Sequence, residues 1–230
     1  MRKAAVSSGF KKIGMESEER KFPIAKEGMI FIIPLGALSL VLWMLAFPGL
    51  AAFCSFLTLF VIYFFRDPAR AVPPGEKAIL SPADGKVIQV QPCVEERFLR
   101  GPTIKISVFM SVFNVHVNRN PLTARIIDSS YAAGKFLRAD LDRASAANEQ
   151  NALLVETAEG ARLLVVQIAG LIARRIVCWV KKGDWVVRGK RFGLIRFGSR
   201  LDIYLPPSTQ LQVRVGQKAL AGQTILGQLP

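Results

Sequence analysis

His116 is the only histidine in the chain, and imidazole is the natural general base near neutral pH. It stands in Ser111-Val-Phe-Asn-Val-His-Val-Asn-Arg-Asn-Pro121, where alternation predicts a strand running into a turn. A lone histidine is more often a packed or surface residue than a catalyst. Asp84 lies in Ser81-Pro-Ala-Asp-Gly85, and an Asp-Gly pair before a strand ordinarily marks a turn. Ser199 follows Gly198 in Arg196-Phe-Gly-Ser-Arg-Leu-Asp-Ile-Tyr-Leu-Pro206. Gly-Ser alone carries almost no information. The cysteines, at 54, 93 and 178, lack metal-ligand spacing, so neither a zinc site nor a disulfide framework is expected. That usage suits a reducing compartment.

The elements that must position these residues read mainly as strands. Gly85-Lys-Val-Ile-Gln-Val90, Thr103 to Phe109, Ala161 to Val166 and Leu201 to Leu205 alternate β-branched and polar residues between Gly, Pro and Asp. Only Arg138 to Ala152 has a helical look, and it reads equally as a loop. A weak repeat joins Val180-x-x-Gly183-x-x-Val186-x-x-Gly189 to Val213-x-x-Gly216-x-x-Ala219-x-x-Gly222, 33 residues on. Equal glycine spacing predicts paired turn units in a compact β-sandwich or barrel-sandwich. The pattern resembles lipoyl and biotinyl carrier domains, but neither copy offers a lysine in the carrier setting.

Residues 28–65 contain no charged residue and no histidine. Phe47-Pro48-Gly49 divides the stretch into arms of 18 and 16 residues, Met29 to Ala46 and Leu50 to Phe65. At 1.5 Å per residue they reach roughly 27 and 24 Å, near a hydrocarbon core of ~30 Å. Two thin spans and a re-entrant hairpin both fit, and either leaves both ends on one side. Lys21 and Lys26 precede the stretch and Arg66 and Arg70 follow it, which predicts a cytoplasmic domain. A cleaved signal peptide fits poorly, because the apolar stretch is too long, no small-residue cleavage site follows it and four acidic residues precede it.

The chain carries a net charge of +14, of which residues 66–230 supply +11 and residues 1–27 the rest. A basic domain on an apolar anchor suits anionic headgroups. Nucleic-acid binding is the other common meaning, and no zinc-finger, helix-turn-helix or single-strand-binding pattern supports it.

Taken together, Phe64-Phe-Arg-Asp-Pro68, Ser81-Pro-Ala-Asp-Gly85, Asn114-Val-His-Val-Asn-Arg119 and Phe197-Gly-Ser-Arg200 resemble the phosphatidylserine decarboxylase family in its short bacterial and archaeal form. The motifs stand in the family's order and cover nearly everything from 60 to 206. The resemblance implies an Asp84–His116–Ser199 triad, self-cleavage at Gly198-Ser199 and a covalent pyruvoyl group made from Ser199, with no metal. It implies chains of 1–198 and 199–230 held as an α/β heterodimer; further self-association is left open. A Schiff base between the pyruvoyl group and phosphatidylserine would then lose carbon dioxide and yield phosphatidylethanolamine. The long form has a second histidine where this chain has Phe113. Arg119, Arg125, Arg174, Arg175 and Arg200 are headgroup candidates by type only.

The expected organisation is a basic segment over 1–27, a membrane helical hairpin over 28–65 and a mainly β catalytic domain over 66–230. The expected site is the cytoplasmic face of the inner membrane, with a membrane phospholipid as substrate and no nucleic acid. Two other readings are a membrane-anchored serine hydrolase, which lacks the Gly-x-Ser-x-Gly elbow, and a non-enzymatic scaffold on anionic lipid.

Overall fold

A computed structural model of the chain describes residues 23–134, 148–170, 175–196 and 198–230. They belong to two compact units, one over Arg20–Ala69 and one carrying Arg70–Pro230. Lys21, Arg174, Phe197 and most of the Arg138–Ala152 stretch lie outside the described residues.

The first unit is a helical hairpin. A 3-10 turn at Lys26–Gly28 leads into α1 (Met29–Met44), and α2 (Pro48–Phe64) returns. Pro48 opens α2 where a missing N–H does no harm. Ser55 donates to the Ala51 carbonyl at 2.8 Å and lies 2.7 Å from Ser39 Oγ, so these hydroxyls turn toward the partner helix. The ends are tied by Ala25 N–H to the Phe65 carbonyl (2.8 Å) and Asp67 N–H to the Pro23 carbonyl (2.7 Å). Large apolar side chains face outward, with Met44 78% and Phe56 64% exposed. That is the reverse of a helix pair built for water. The stretch Lys26–Met44 is long and apolar enough to cross a membrane, and Pro48–Phe64 is shorter.

The second unit is mainly β. Its strands are β1 (Ala78–Leu80), β2 (Gly85–Glu95), β3 (Gly101–Met110), β4 (Val117–Arg119), β5 (Ala124–Ala132), β6 (Gln150–Glu156) and β7 (Arg162–Ala169). Then follow β8 (Ile176–Cys178), β9 (Trp185–Val186), β10 (Arg191–Ile195), β11 (Ser199–Leu205), β12 (Gln210–Leu211), β13 (Lys218–Ala219) and β14 (Ile225–Gln228). Among the described residues an eight-stranded sheet runs β13-β2-β3-β11-β7-β6-β5-β9, beside three-stranded sheets β1-β14-β12 and β4-β10-β8. Gln150 to Ala152 therefore lie in a strand, where helix or loop was expected. Asn151 and Leu153 face one side of it and Ala152 and Leu154 the other, and pairing with β7 overrides their modest helical preference.

Alternation along β11 sorts its residues by face. Leu201, Ile203 and Leu205 enter the main core with Val87, Ile106, Val108, Met110 and Phe192. Arg200, Asp202 and Tyr204 face the other side, where Tyr204 packs against the cluster of Leu164, Val166 and Ile168. Strand β7 is buried on both faces from Leu163 onward, which explains the apolar run Leu163-Leu-Val-Val166.

The glycine repeat is architectural. Gly183 N–H donates to the Ile126 carbonyl as Gly216 N–H donates to that of Val87, each at 2.8 Å. Each contact falls at a bulge, between Ile126 and Asp128 in β5 and between Val87 and Gln89 in β2. The segments 81–90 and 120–129 therefore fill matching places against the two copies. Gly85 shows how tight this packing is, since a Cβ there would lie 2.1 Å from the Phe109 carbonyl oxygen. Gly85→Ala is expected to destabilise the domain by about 3 kcal/mol and lower the melting midpoint by about 10 °C, measured by thermal unfolding.

Candidate active site

Ser199 opens β11 and sits between the ends of two neighbours, opposite Met110 of β3 and Ala169 of β7. It is fully buried, and its Oγ donates to Met110 Sδ at 3.3 Å. The chain reaches it from β10 of a different sheet through Arg196 to Gly198. Gly198 has φ +70°, a left-handed conformation that side chains resist, while a Cβ there would meet nothing closer than 4.0 Å. The glycine is required by the backbone angle and not by crowding.

His116 lies just before β4, not within the strand expected of it, because pairing with β10 begins only at Val117. The Ile195 N–H donates to the His116 carbonyl at 3.3 Å, which brings the histidine beside the chain entering Ser199. His116 is 3% exposed. Its Nδ1 lies 2.9 Å from the Asn114 carbonyl, and the Gly198 N–H donates to Nε2 at 3.4 Å. A carbonyl can only accept, so the proton belongs on Nδ1 and the Nε2 lone pair faces the Gly198–Ser199 region. Asn114 itself is fixed in a turn, its Oδ1 accepting from Ser111 N–H (2.9 Å) and Ser111 Oγ (2.8 Å).

Asp84 is also buried, with other partners. Its Oδ2 pairs with Arg70 Nη2 at 2.8 Å, and its Oδ1 accepts the Ala221 N–H at 2.7 Å. In the matching half of the repeat, Thr123 Oγ1 accepts the Arg188 N–H at 3.2 Å. Asp84 thus fills the repeat's turn-capping place, and Arg70, which also reaches Gln223 Oε1 at 3.0 Å, adds a charge pair to it. The imidazole Nδ1 is met by the Asn114 carbonyl, while the Asp84 carboxylate is met by Arg70 and the Ala221 N–H. Ser199, Gly198 and His116 are brought together; Asp84 holds the neighbouring turn, where the Arg119 N–H donates to the Pro82 carbonyl at 3.0 Å.

A model of the phosphatidylserine decarboxylase family matches residues 57–227. The chain belongs to the phosphatidylserine decarboxylase family. A phosphatidylserine decarboxylase proenzyme of Geobacter metallireducens is 55% identical over 213 residues, 90% of this chain and 97% of that protein. The proenzyme of Geobacter sulfurreducens is 54% identical over 214 residues, with the same shares covered. That of Syntrophus aciditrophicus is 50% identical over 205 residues, 89% of this chain and 96% of that protein.

Within this decarboxylase family member the candidate arginines separate by burial. Arg200 is fully buried on the face of β11 opposite Ser199's, and Arg119 is buried with Nη1 on the Gly189 carbonyl at 3.1 Å. Arg125 is exposed on β5. Arg175 is exposed, and its carbonyl accepts the Arg196 N–H at 3.2 Å, one rung beyond the Ile195–Ile176 pair. Phe113, at the place of the long form's second histidine, is 64% exposed. Sequence reasoning missed Met110 against Ser199, the Asn114 carbonyl that accepts from His116 Nδ1, and Arg70 against Asp84. Only Arg70 left a trace, as a cation close after the apolar stretch.

Proposed function

We propose that this chain is the self-processing precursor of a phosphatidylserine decarboxylase, cut between Gly198 and Ser199, with Ser199, His116 and Asp84 as its working set. The observation that carries the reading is the Nε2 of the only histidine facing the amide of a left-handed glycine beside a buried serine.

His116 Nε2 takes the Ser199 hydroxyl proton once Oγ exchanges Met110 for the imidazole, and Oγ attacks the Gly198 carbonyl carbon. The C–N bond breaks and an ester forms, the nitrogen taking up the proton. Removal of the Ser199 α-proton expels the Gly198 carboxylate and leaves dehydroalanine. Water then replaces the nitrogen as ammonia departs, leaving a keto group at residue 199. Asp84 keeps the 81–85 turn, and with it the end of β4 at Arg119, in place for this step.

The pyruvoyl group fits the site because it has no more heavy atoms than the serine residue it replaces, and that position is fully enclosed. Such a group supplies an electron sink for loss of carbon dioxide from an α-amino acid. His116 remains within reach to hand a proton to carbon when the product forms. Arg175, exposed beside the chain that enters Ser199, is the cation for the headgroup phosphate.

The products are chains of 1–198 and 199–230, held as an α/β heterodimer because β11 of the second lies between β3 and β7 of the first. The hairpin within 28–65 anchors the catalytic domain of 66–230 at the cytoplasmic face of the inner membrane, with 1–27 on the same side. This placement brings the domain to a lipid substrate that does not leave the bilayer. An intact mass spectrum of the denatured protein tests the reading. The expected result is two fragments divided at 198–199, the smaller lighter than its serine-started sequence by one ammonia. A single uncut chain in active protein overturns it.

A further inference from the structure

The face of β11 opposite Ser199 carries a buried polar row. Arg200 and Asp202 are both fully enclosed, and Arg200 Nε meets Asp202 Oδ1 at 2.6 Å. Arg200 Nη2 also donates to Gln89 Oε1 at 2.9 Å and to Ser107 Oγ at 2.8 Å. Lys105 Nζ reaches Asp202 Oδ2 at 3.0 Å. Gln89, Ser107 and Asp202 stand opposite one another across β2, β3 and β11. Apolar side chains would pack such a place about as stably as an ion pair, and what the pair supplies is a defined partner for each atom. The row therefore specifies register.

Register matters here for a reason that depends on the cleavage reading above. In the uncut chain the turn at Gly198 holds the start of β11. After cleavage, residue 199 becomes a chain end, and chain ends fray. A slip of one residue turns every side chain of a strand to its other face. It would carry the group at 199 away from His116. Arg200 and Asp202 belong to the 199–230 fragment, whereas Gln89, Lys105 and Ser107 belong to the 1–198 fragment. We propose that Arg200 is a positioning residue: its buried contacts with Asp202, Gln89 and Ser107 lock the new chain end in register once the peptide is cut.

Arg200→Lys in the full-length chain tests this, after the parent protein has been shown by mass to be cut at 198–199. Hydrogen exchange of the β11 amides is followed in the processed protein and in the uncut Ser199→Ala background. The processed variant is expected to exchange about tenfold faster at 200–203 than the processed parent. Its kcat on phosphatidylserine vesicles should fall about tenfold with KM little changed. In the uncut background the same substitution should alter exchange less than about twofold. Should Arg200→Lys fail to fold, Gln89→Met with Ser107→Ala removes the cross-fragment acceptors and keeps the Arg200–Asp202 pair, and the same pattern is expected at smaller size. Unchanged exchange and kcat in the processed protein overturn the proposal, as does an equal rise in the uncut chain, which marks plain packing. An uncut parent overturns the cleavage reading, and this proposal with it.

Discussion

Ser199→Ala and His116→Gln are both expected to leave the chain whole, with decarboxylation below detection. Ser199→Ala removes the attacking oxygen, so no ester forms at any rate. His116→Gln keeps a planar polar group near Gly198 but cannot take up the hydroxyl proton, and that transfer is worth about 10²–10⁴ in rate. Denaturing mass spectrometry over a time course reads both. The glutamine variant should show less than about a thousandth of the parent's initial cleavage rate. Cleavage of His116→Gly restored by added imidazole would separate loss of the base from loss of packing around a residue that is 3% exposed. Normal processing of His116→Gln would remove His116 from the first step.

The second large effect concerns Asp84 and separates two roles for it. An aspartate acting directly on the imidazole should be as indispensable as His116 and indifferent to Arg70. In the arrangement seen here Asp84 is bound by Arg70 and the Ala221 N–H, with side-chain exposures of 6% for Asp84 and 11% for Arg70. Removing one partner of such an enclosed pair costs about 3–5 kcal/mol, because the other charge is left in low dielectric. Asp84→Asn and Arg70→Gln are therefore each expected to slow processing by about a hundredfold. The double variant should be no slower than either, which corresponds to a coupling energy of about 2.7 kcal/mol. A fast Arg70→Gln beside an inert Asp84→Asn would return Asp84 to the imidazole.

The Arg70–Asp84 pair also bears on how the chain is organised. Arg70 follows closely after α2 in sequence, and Arg188 donates from Nη1 to the Ala78 carbonyl at 3.3 Å. Burial pushes the Arg188 guanidinium below its ordinary pKa, an effect opposed by the charge of Glu76. Arg188 Nη2 also donates to the Pro73 carbonyl, so within the β unit the residues ahead of β1 are held by Arg70 and Arg188.

Much of this was legible in the sequence because it depends on local pattern. An uncharged apolar stretch broken at Pro48-Gly49 points to a helix pair, since a helix satisfies its backbone groups within the segment. Alternation marked β2, β3 and β11, a short apolar run marked β7, and equal glycine spacing announced turns that the backbone requires at Gly183 and Gly216, with φ of +98° and +90°. The three residues of the proposed chemistry were named from motifs spread between 81 and 200. What remained closed was every relation between residues far apart in sequence. Only the pairing of β4 with β10 brings His116 to Gly198, 82 residues away. Only the register of β3 against β11 sets Met110 beneath Ser199 and aligns Gln89, Ser107 and Asp202. The partner of His116 Nδ1 is a main-chain carbonyl, which every residue possesses, so no side-chain motif could announce it. Sequence determined which elements form and which residue types can react, because propensity and periodicity are local. The tertiary structure decided which polar atoms meet, because hydrogen bonds demand distances that only packing sets.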